Sequence, residues 1–186
     1  MRVISGRKKG YGLKAPKGRQ TRPTEDRIKE SLFNILMEIH DESIVLDLFA
    51  GSGSIGIEFL SRGARKLFFV DRSYDSIKCI KENLQHTDLS DSAEVLKTDA
   101  IKSIMLFADK DIKFDYIFAD PPYGQDLIIK TIEKISKENI LKENGLLILE
   151  HEKNLVLKDK IDSLKKTDCR EYGSKNLTFF TKDKLI

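Results

Sequence analysis

The chain has 186 residues, of which 40% are apolar and 34% are charged, and its formal net charge is +3. This length suits one domain with a hydrophobic core and is short for two. No apolar run approaches the ~20 residues of a membrane-spanning helix, and no apolar stretch follows the basic start as in a signal peptide, so we expect neither.

Positive charge is concentrated at the start of the chain. Residues 1–30 hold ten Lys or Arg and three Asp or Glu, a net charge of +7, whereas the remainder holds 23 basic and 27 acidic residues, a net charge of −4. Such a cluster predicts a polyanionic partner, although a solvated tail has the same composition. Val3, Ile4 and Leu13 favour short strands in a ribbon over free coil. The basic residues expected to bind the partner are Arg7, Lys8, Lys9, Arg19 and Arg22.

A helix follows the basic segment. Thr24 is a favourable N-cap, and the helix dipole favours the acidic Glu25 and Asp26 in the first turn. Apolar residues then recur at helical spacing as far as Ile39. Pro23 prevents the helix from starting earlier. We therefore divide the chain into a basic extension, residues 1–23, and a main domain, residues 24–186.

Strands and helices alternate from residue 43 onward. Strands are predicted at SIVLDLFAG, KLFFVD, AEVLKTD, DYIFAD and GLLILEHE, and CREYG with LTFFTK forms a closing antiparallel pair. Helices are predicted over 54–63, 74–86, a short stretch after the third strand, 125–139 and 155–166. Near-continuous apolar strands alternating with helices indicate an α/β fold whose mostly parallel, seven-stranded sheet is covered on both faces.

Carboxylates stand at the ends of four consecutive predicted strands. They are Asp47, Asp71, Asp99 and Asp120. One acid at a strand end is commonly a helix cap or a solvated loop residue, but the carboxyl ends of parallel strands share one edge of the sheet, where ligands bind. Four carboxylates at that edge therefore favour a binding site.

The loop after the first strand fits a nucleotide-cofactor pattern. Gly51, Gly53 and Gly56 match G-x-G-x-x-G, and Asp71 follows Gly51 by twenty residues, the position of an acid that binds ribose hydroxyls. A nicotinamide dinucleotide and S-adenosylmethionine both remain possible. Asp47 favours the second, because a carboxylate before the loop suits the methionine ammonium. The predicted cofactor-binding residues are Asp47, Gly51, Ser52, Gly53, Asp71, Asp99 and Ala100, with adenine beside the last two.

The segment DPPY, residues 120–123, predicts chemistry on an amine. Asp120 and Pro121 each precede a proline and are restricted to extended backbone, and neither proline carries an N–H. A rigid tip then presents the Asp120 carboxylate and the Pro121 carbonyl as acceptors for an exocyclic amine, while Tyr123 stacks on the base. A plain strand-ending turn is the alternative. The predicted catalytic residues are Asp120, Pro121, Pro122 and Tyr123.

These motifs resemble those of known enzymes. DLFAGSG, the Val-Asp pair at 70–71, TDA at 98–100 and DPPY are similar to the motifs of class I S-adenosylmethionine-dependent methyltransferases that act on amino nitrogens. MRVISGRKKGYGLKAP, RPTEDRIKESLFNIL and LDLFAGSG closely resemble the RsmD family of bacterial 16S rRNA guanine-N2 methyltransferases, over essentially the whole chain. The resemblance implies a Rossmann-like fold, S-adenosylmethionine as cofactor, and the N2 amine of a guanine in 16S rRNA as target.

Two other functions stay open at this stage, an N6-adenine methyltransferase and an NAD-dependent oxidoreductase. The chain has no room for a separate target-recognition domain, which disfavours a sequence-specific DNA enzyme and favours a folded RNA substrate. We expect 16S rRNA, free or within a small ribosomal subunit, as partner of a monomer. His40, His86 and His151 are scattered and predict no metal site, and the two cysteines fit a reducing, cytoplasmic location.

Overall fold

The structure is a computed structural model that describes residues 1–16, 23–122 and 125–183. These residues contain five α-helices and eight β-strands, numbered here in chain order. The helices are α1 (Pro23–Leu36), α2 (Ser54–Ser61), α3 (Tyr74–His86), α4 (Ala100–Asp109) and α5 (Gln125–Lys137). The strands are β1 (Ile44–Leu48), β2 (Lys66–Asp71), β3 (Ala93–Lys97), β4 (Phe114–Ala119), β5 (Leu141–Glu152), β6 (Lys160–Ile161), β7 (Leu164–Tyr172) and β8 (Lys175–Lys182).

All eight strands form one sheet in the order β3-β2-β1-β4-β5-β8-β7-β6. The first five strands pair in parallel, and β8, β7 and β6 continue the sheet in antiparallel pairing. The predicted α/β architecture with an antiparallel C-terminal pair is confirmed. Because the chain leaves β1 toward β2 on one side and β4 lies on the other, the switch point of the sheet falls between β1 and β4, where ligands bind in such folds.

The predicted helix at 155–166 is wrong, and so is the count of seven strands. β6 and the start of β7 occupy this stretch as a tight hairpin, with Asp162 at φ 51° in its turn. Leu155 and Leu157 are buried, whereas Val156 between them is 86% exposed. This alternation is the period of extended chain, and the short β6 adds the eighth strand.

Helices cover both faces of the sheet. One core cluster joins the sheet to α4 and α5 through residues such as Phe107 and Ile132. The other joins it to α1, α2 and α3, with Leu32, Leu60 and Ile80 among its members. Within the described ranges, no helix combines the length and the apolar character that crossing a membrane requires.

Residues 1–13 form a short hairpin. The Val3 N–H donates to the Tyr11 carbonyl and the Gly10 N–H to the Val3 carbonyl, each at 2.9 Å, as the predicted ribbon requires. Val3 and Leu13 are buried in the cluster that contains α1, so the hairpin packs on the main domain. Helix α1 begins at Pro23, which places Thr24 inside the first turn; proline is favourable at the first helical position because its φ is already helical.

Candidate active site

A cavity lies between α1 and the sheet, at the carboxyl ends of β1 and β4. The loop after β1 closes one side of it, and β5 and the start of β8 form the other. Its ionisable side chains are four carboxylates and two ammonium groups, those of Asp26, Asp47, Asp120, Glu150, Lys29 and Lys175, and the N-terminal residue Met1 also lines it. Two of the four predicted strand-end acids, Asp47 and Asp120, therefore meet in one cavity.

The glycine loop is held to the next strand by Asp71. Asp71 Oδ2 accepts the Gly51 N–H at 2.9 Å, and its Oδ1 accepts the Ser73 N–H at 2.8 Å. Gly51 and Gly53 have φ values of 57° and 75°, in the left-handed region where a side chain is strained. Phe49 shares this region with φ 61°, a strained non-glycine residue that the sequence pattern does not reveal. Gly51 and Ser52 line the cavity.

Gly56 has a packing role. A Cβ on Gly56 would lie 2.3 Å from Phe69 Cε1 and 2.7 Å from Leu67 Cδ2, so only glycine lets α2 approach β2 this closely. This contact fits the third glycine of the predicted fingerprint, which permits close helix–strand packing. The N-terminus of α2 is thereby fixed beside the loop and the cavity.

Asp99 and Ala100 follow β3, away from the cavity lining. Asp99 is the N-cap of α4, and its Oδ1 accepts the N–H groups of Ile101 at 2.9 Å and Lys102 at 3.2 Å. The Ala100 side chain is buried. Asp99 thus has a structural function, and its place beside a bound adenine stays a prediction.

Asp47 is a buried acid with an unusual protonation state. Its side chain is almost fully buried, and its Oδ2 accepts the Gly56 N–H at 3.1 Å. Burial raises the pKa of Asp47 to about 8; the Gly56 hydrogen bond opposes this, and the nearby Asp71 and Asp120 add to it. At neutral pH the carboxyl is therefore mostly uncharged until a cation approaches it.

Asp120 directly follows β4 and faces the same cavity. Its side chain is about half-exposed, and its Oδ1 lies 4.0 Å from the Lys175 ammonium. Pro121 is buried and Pro122 is exposed, so the tip is anchored on one side only. Tyr123, the predicted stacking residue, lies outside the described residues.

Two buried charges, Lys29 and Glu58, were not anticipated. The Lys29 ammonium donates to the Arg2 carbonyl at 2.7 Å and to Ser54 Oγ at 3.0 Å, and lies 3.7 Å from Glu58. Burial lowers the pKa of Lys29, and Glu58 opposes this shift. Asp26, one turn before Lys29, has a buried Oδ1 that accepts no hydrogen bond from any residue the structure describes.

Glu58 holds the N-terminal hairpin on α2. Its two oxygens accept the N–H groups of Ile4 at 2.8 Å and Ser5 at 2.9 Å, and Arg62 Nε also donates to it at 2.9 Å. Gly6 passes so close that a Cβ there would lie 2.0 Å from the Ser61 carbonyl oxygen. The signal in the sequence is a single acid inside the apolar run IGIEFL, which marks a charge with buried partners.

The predicted polyanion-binding residues are only partly described. Arg7 and Lys9 are exposed on the hairpin. Lys8 is partly buried, with its ammonium 3.5 Å from Asp88 and 5.9 Å from the centre of the Tyr11 ring. Arg19 and Arg22 lie outside the described residues. Arg7 and Lys9 are thus the best placed of the described candidates.

The cavity fits the cationic end of S-adenosylmethionine. The orphaned Asp26 oxygen and the buried Asp47 carboxyl are acceptors that an ammonium group would satisfy. A dinucleotide pyrophosphate in the same place would meet the carboxylates as like charges. With Asp71 beside the glycine loop as an acceptor for ribose hydroxyls, the residues present favour the sulfonium cofactor over NAD.

Comparison with known proteins gives concordant matches. The family described as conserved hypothetical protein 95 matches residues 1–181. A Bacillus subtilis (strain 168) protein, YlbH, provisionally named an rRNA methyltransferase, is 40% identical over 98% of this chain and 99% of its own. The Haemophilus influenzae "Ribosomal RNA small subunit methyltransferase D" is 37% identical over 84% of this chain and 81% of its own. A hypothetical protein from Thermus thermophilus superimposes with a TM-score of 0.82 at 25% identity, covering 98% of this chain and 99% of that structure.

Proposed function

The chain belongs to the RsmD family, and from this membership and the acidic cavity we propose that it transfers a methyl group from S-adenosylmethionine to 16S rRNA. The observation that carries the proposal is the meeting of the glycine loop, Asp47 and Asp120 at one cavity. The cofactor supplies an electrophilic methyl group on a sulfonium ion. The protein must then bind the cation, hold the acceptor amine and stabilise the charge that develops on it.

Each of these tasks has a residue suited to it. Asp71 binds the ribose of the cofactor, the loop from Gly51 to Gly53 lies at its methionine end, and Asp47 with Asp26 faces its ammonium. Asp120 accepts a hydrogen bond from the target amine, whose lone pair is delocalised into the base. As the methyl group passes from sulfur to nitrogen, the nitrogen becomes positive and the fixed carboxylate stabilises it; the nitrogen then loses a proton to water. Pro121 contributes its carbonyl, Pro122 stiffens the tip, and Tyr123 supplies the stacking face.

The target that we propose is the N2 amine of guanine. In guanine the exocyclic amine lies beside a ring N–H, so the base offers adjacent donors to a cavity rich in carboxylates. In adenine the ring nitrogen beside the amine is an acceptor, which a carboxylate repels. Residues 1–23 act in this proposal as the RNA-binding extension, with Arg7 and Lys9 contacting phosphates.

The test is methylation by the purified protein with isotope-labelled S-adenosylmethionine. Free 16S rRNA and small ribosomal subunits lacking the modification are separate substrates, and the nucleosides are identified by mass after digestion. N2-methylguanosine is expected, and Asp120→Asn should form it more slowly by ~10²-fold or more. Isotope label found in N6-methyladenosine would make adenine the target base instead of guanine. Binding of NAD with no binding of S-adenosylmethionine would overturn the whole proposal.

A further inference from the structure

Three charged side chains form a chain across β4, β5 and β8 at the rim of the cavity. Lys175 contacts Glu150 directly, and its ammonium lies 4.0 Å from Asp120 Oδ1. Lys175 opens β8 and pairs with Glu152, so its side chain lies diagonally across from Glu150 on the same face of the sheet. The proposed function does not use Lys175 or Glu150.

The register of the sheet explains why a cation is needed here. β4 and β5 are parallel, with Ala119 opposite Leu149, so the next residues on the two strands are Asp120 and Glu150. Two carboxylates are thereby placed side by side, and Asp47 faces them from β1. Carboxylates in neighbouring positions repel each other, and a cation beside them offsets that repulsion.

From this arrangement we infer that Lys175, anchored by Glu150, is a positioning residue that keeps the Asp120 carboxylate ionised and aimed into the cavity. The inference rests on the proposed function, because it concerns the carboxylate that accepts the target amine. A protonated Asp120 would lose the charge that stabilises the developing cation.

Glu150 limits the effect of the lysine. One ammonium and two carboxylates leave the trio with a formal charge of −1, the same as an isolated Asp120. With Glu150 only 9% exposed and bonded to Lys175, the ammonium is held to one side. Without Glu150, Lys175 would pair fully with Asp120 and cancel its charge.

The charges on α1 face the same cavity from the other side. Lys29 is committed to Arg2, Ser54 and Glu58, and so does not substitute for Lys175. Asp26 adds a further carboxylate. The N-terminal residue Met1 also lines the cavity, and its ammonium is a further charge there. We assign this role to Lys175 because its ammonium lies within 4.0 Å of the Asp120 carboxylate.

Two substitutions should move the pH dependence in opposite directions. The rate of methyl transfer is measured in single turnover with saturating 16S rRNA and cofactor between about pH 5 and 9. In Lys175→Met the acid limb, the part of the profile where the rate falls as Asp120 is protonated, should move to higher pH, with a loss of up to ~10-fold at the foot of the limb for each unit of displacement. In Glu150→Gln the limb should move to lower pH while the plateau falls. Lys175→Arg, which keeps the charge, should restore the wild-type limb.

The chain offers a matched control pair on the same two strands. Glu143 on β5 and Lys182 on β8 form an ion pair at 2.6 Å, with Glu143 80% exposed. Lys182→Met and Glu143→Gln remove the same charges away from the cavity, and neither should move the limb. An unchanged limb in Lys175→Met, with only a raised KM for RNA, would make Lys175 an RNA contact and overturn the inference.

A second measurement does not depend on turnover. The carboxyl carbon signal of Asp120, assigned by its loss in Asp120→Asn, is followed by NMR as a function of pH. Its midpoint should rise in Lys175→Met and fall in Glu150→Gln. If the wild-type protein methylates no RNA, the proposed function fails, but this titration still tests whether Lys175 and Glu150 control the ionisation of Asp120. A midpoint that neither substitution changes would refute that control.

Discussion

Asp71 Oδ2 accepts a hydrogen bond of 2.9 Å from the Gly51 N–H, which ties the end of β2 to the loop after β1. The acid predicted to bind ribose is therefore also a support of the glycine loop, which is itself predicted to bind the cofactor. The other oxygen accepts the Ser73 N–H at 2.8 Å, so the carboxylate is fixed in orientation before any ligand arrives. A preorganised acceptor loses little freedom on binding.

Asp71→Ala should weaken binding of S-adenosylmethionine by roughly 1–3 kcal/mol, because the ribose loses a charged acceptor and the loop loses its support. Asp71→Asn, which keeps one acceptor oxygen, should fall between wild type and alanine. Isothermal titration calorimetry measures both. Asp109→Ala removes an exposed carboxylate at the end of α4 and serves as the control. Equal affinity in Asp71→Ala and wild type would remove Asp71 from the cofactor site.

The buried Asp47 predicts a pH dependence of stability. Its pKa rises from 3.8 to about 8 in the folded protein, so the stabilisation from its protonated form is complete below about pH 4 and is lost as pH rises through about 8. Between pH 5 and 8 the wild type should lose about 2–4 kcal/mol of unfolding free energy relative to Asp47→Asn. Urea unfolding of both proteins at the two pH values measures the difference.

The same acid should link cofactor binding to proton release. A bound ammonium near Asp47 favours the carboxylate, so binding at pH 7 should expel part of a proton. Calorimetry in buffers of different ionisation enthalpy measures it, and Asp47→Asn should abolish it. If the binding enthalpy of the wild type does not depend on the buffer, no proton is released and Asp47 does not contact the cofactor ammonium.

Local patterns in the sequence predicted much of this architecture. The strand KLFFVD and the helix 74–86 are found with the predicted bounds, because apolar period and caps are local properties. The acids at the strand ends were found for the same reason. The features that could not be predicted are contacts between residues far apart in the chain. Lys175 meets Glu150 because β8 inserts beside β5, a pairing that no local pattern specifies.

Buried charged residues are a second feature that the sequence did not predict. The helix predicted over 54–63 contains Glu58, and no partner was predicted for this acid, although it accepts hydrogen bonds from a segment more than fifty residues earlier in the chain. The helix predicted at 155–166 was wrong because the spacing of the buried apolar residues suits either a helix or a hairpin. These residues are Leu155, Leu157, Ile161 and Leu164. The short turn at Asp162 decides between them.

Glu58→Ala should destabilise the protein by about 3–5 kcal/mol, because Lys29 would be left buried without its acidic partner. The Ile4 and Ser5 amides should then exchange with solvent faster than those of the main sheet, since both donate to Glu58. Urea unfolding and hydrogen exchange measure the two effects. Glu94→Ala, an exposed acid on β3, is the control. Unchanged exchange at Ile4 would show that the hairpin is held elsewhere.

Charge reversal on the hairpin should separate RNA binding from cofactor binding. Arg7→Glu and Lys9→Glu should weaken 16S rRNA binding and reduce its salt dependence by about 0.7–0.9 in logarithmic slope for each phosphate that the protein no longer neutralises. Affinity for S-adenosylmethionine should hardly change. Lys158→Glu reverses an exposed charge beyond β5 and is the control. Normal methylation by the double variant at physiological salt would make the hairpin a structural element alone.

Asp120→Asn tests whether the carboxylate at the rigid tip carries the chemistry. The amide keeps the size and one acceptor oxygen but loses the charge, so fold and cofactor affinity should be near normal. Single-turnover methyl transfer with saturating RNA should fall by ~10²-fold or more, because a preorganised electrostatic partner is lost where positive charge develops. Asp120→Ala should be slower still, since the amine then loses its acceptor as well. Transfer at the wild-type rate in Asp120→Asn would reduce the carboxylate to a cap on the turn after β4, and the Pro121 carbonyl would then have to hold the amine alone.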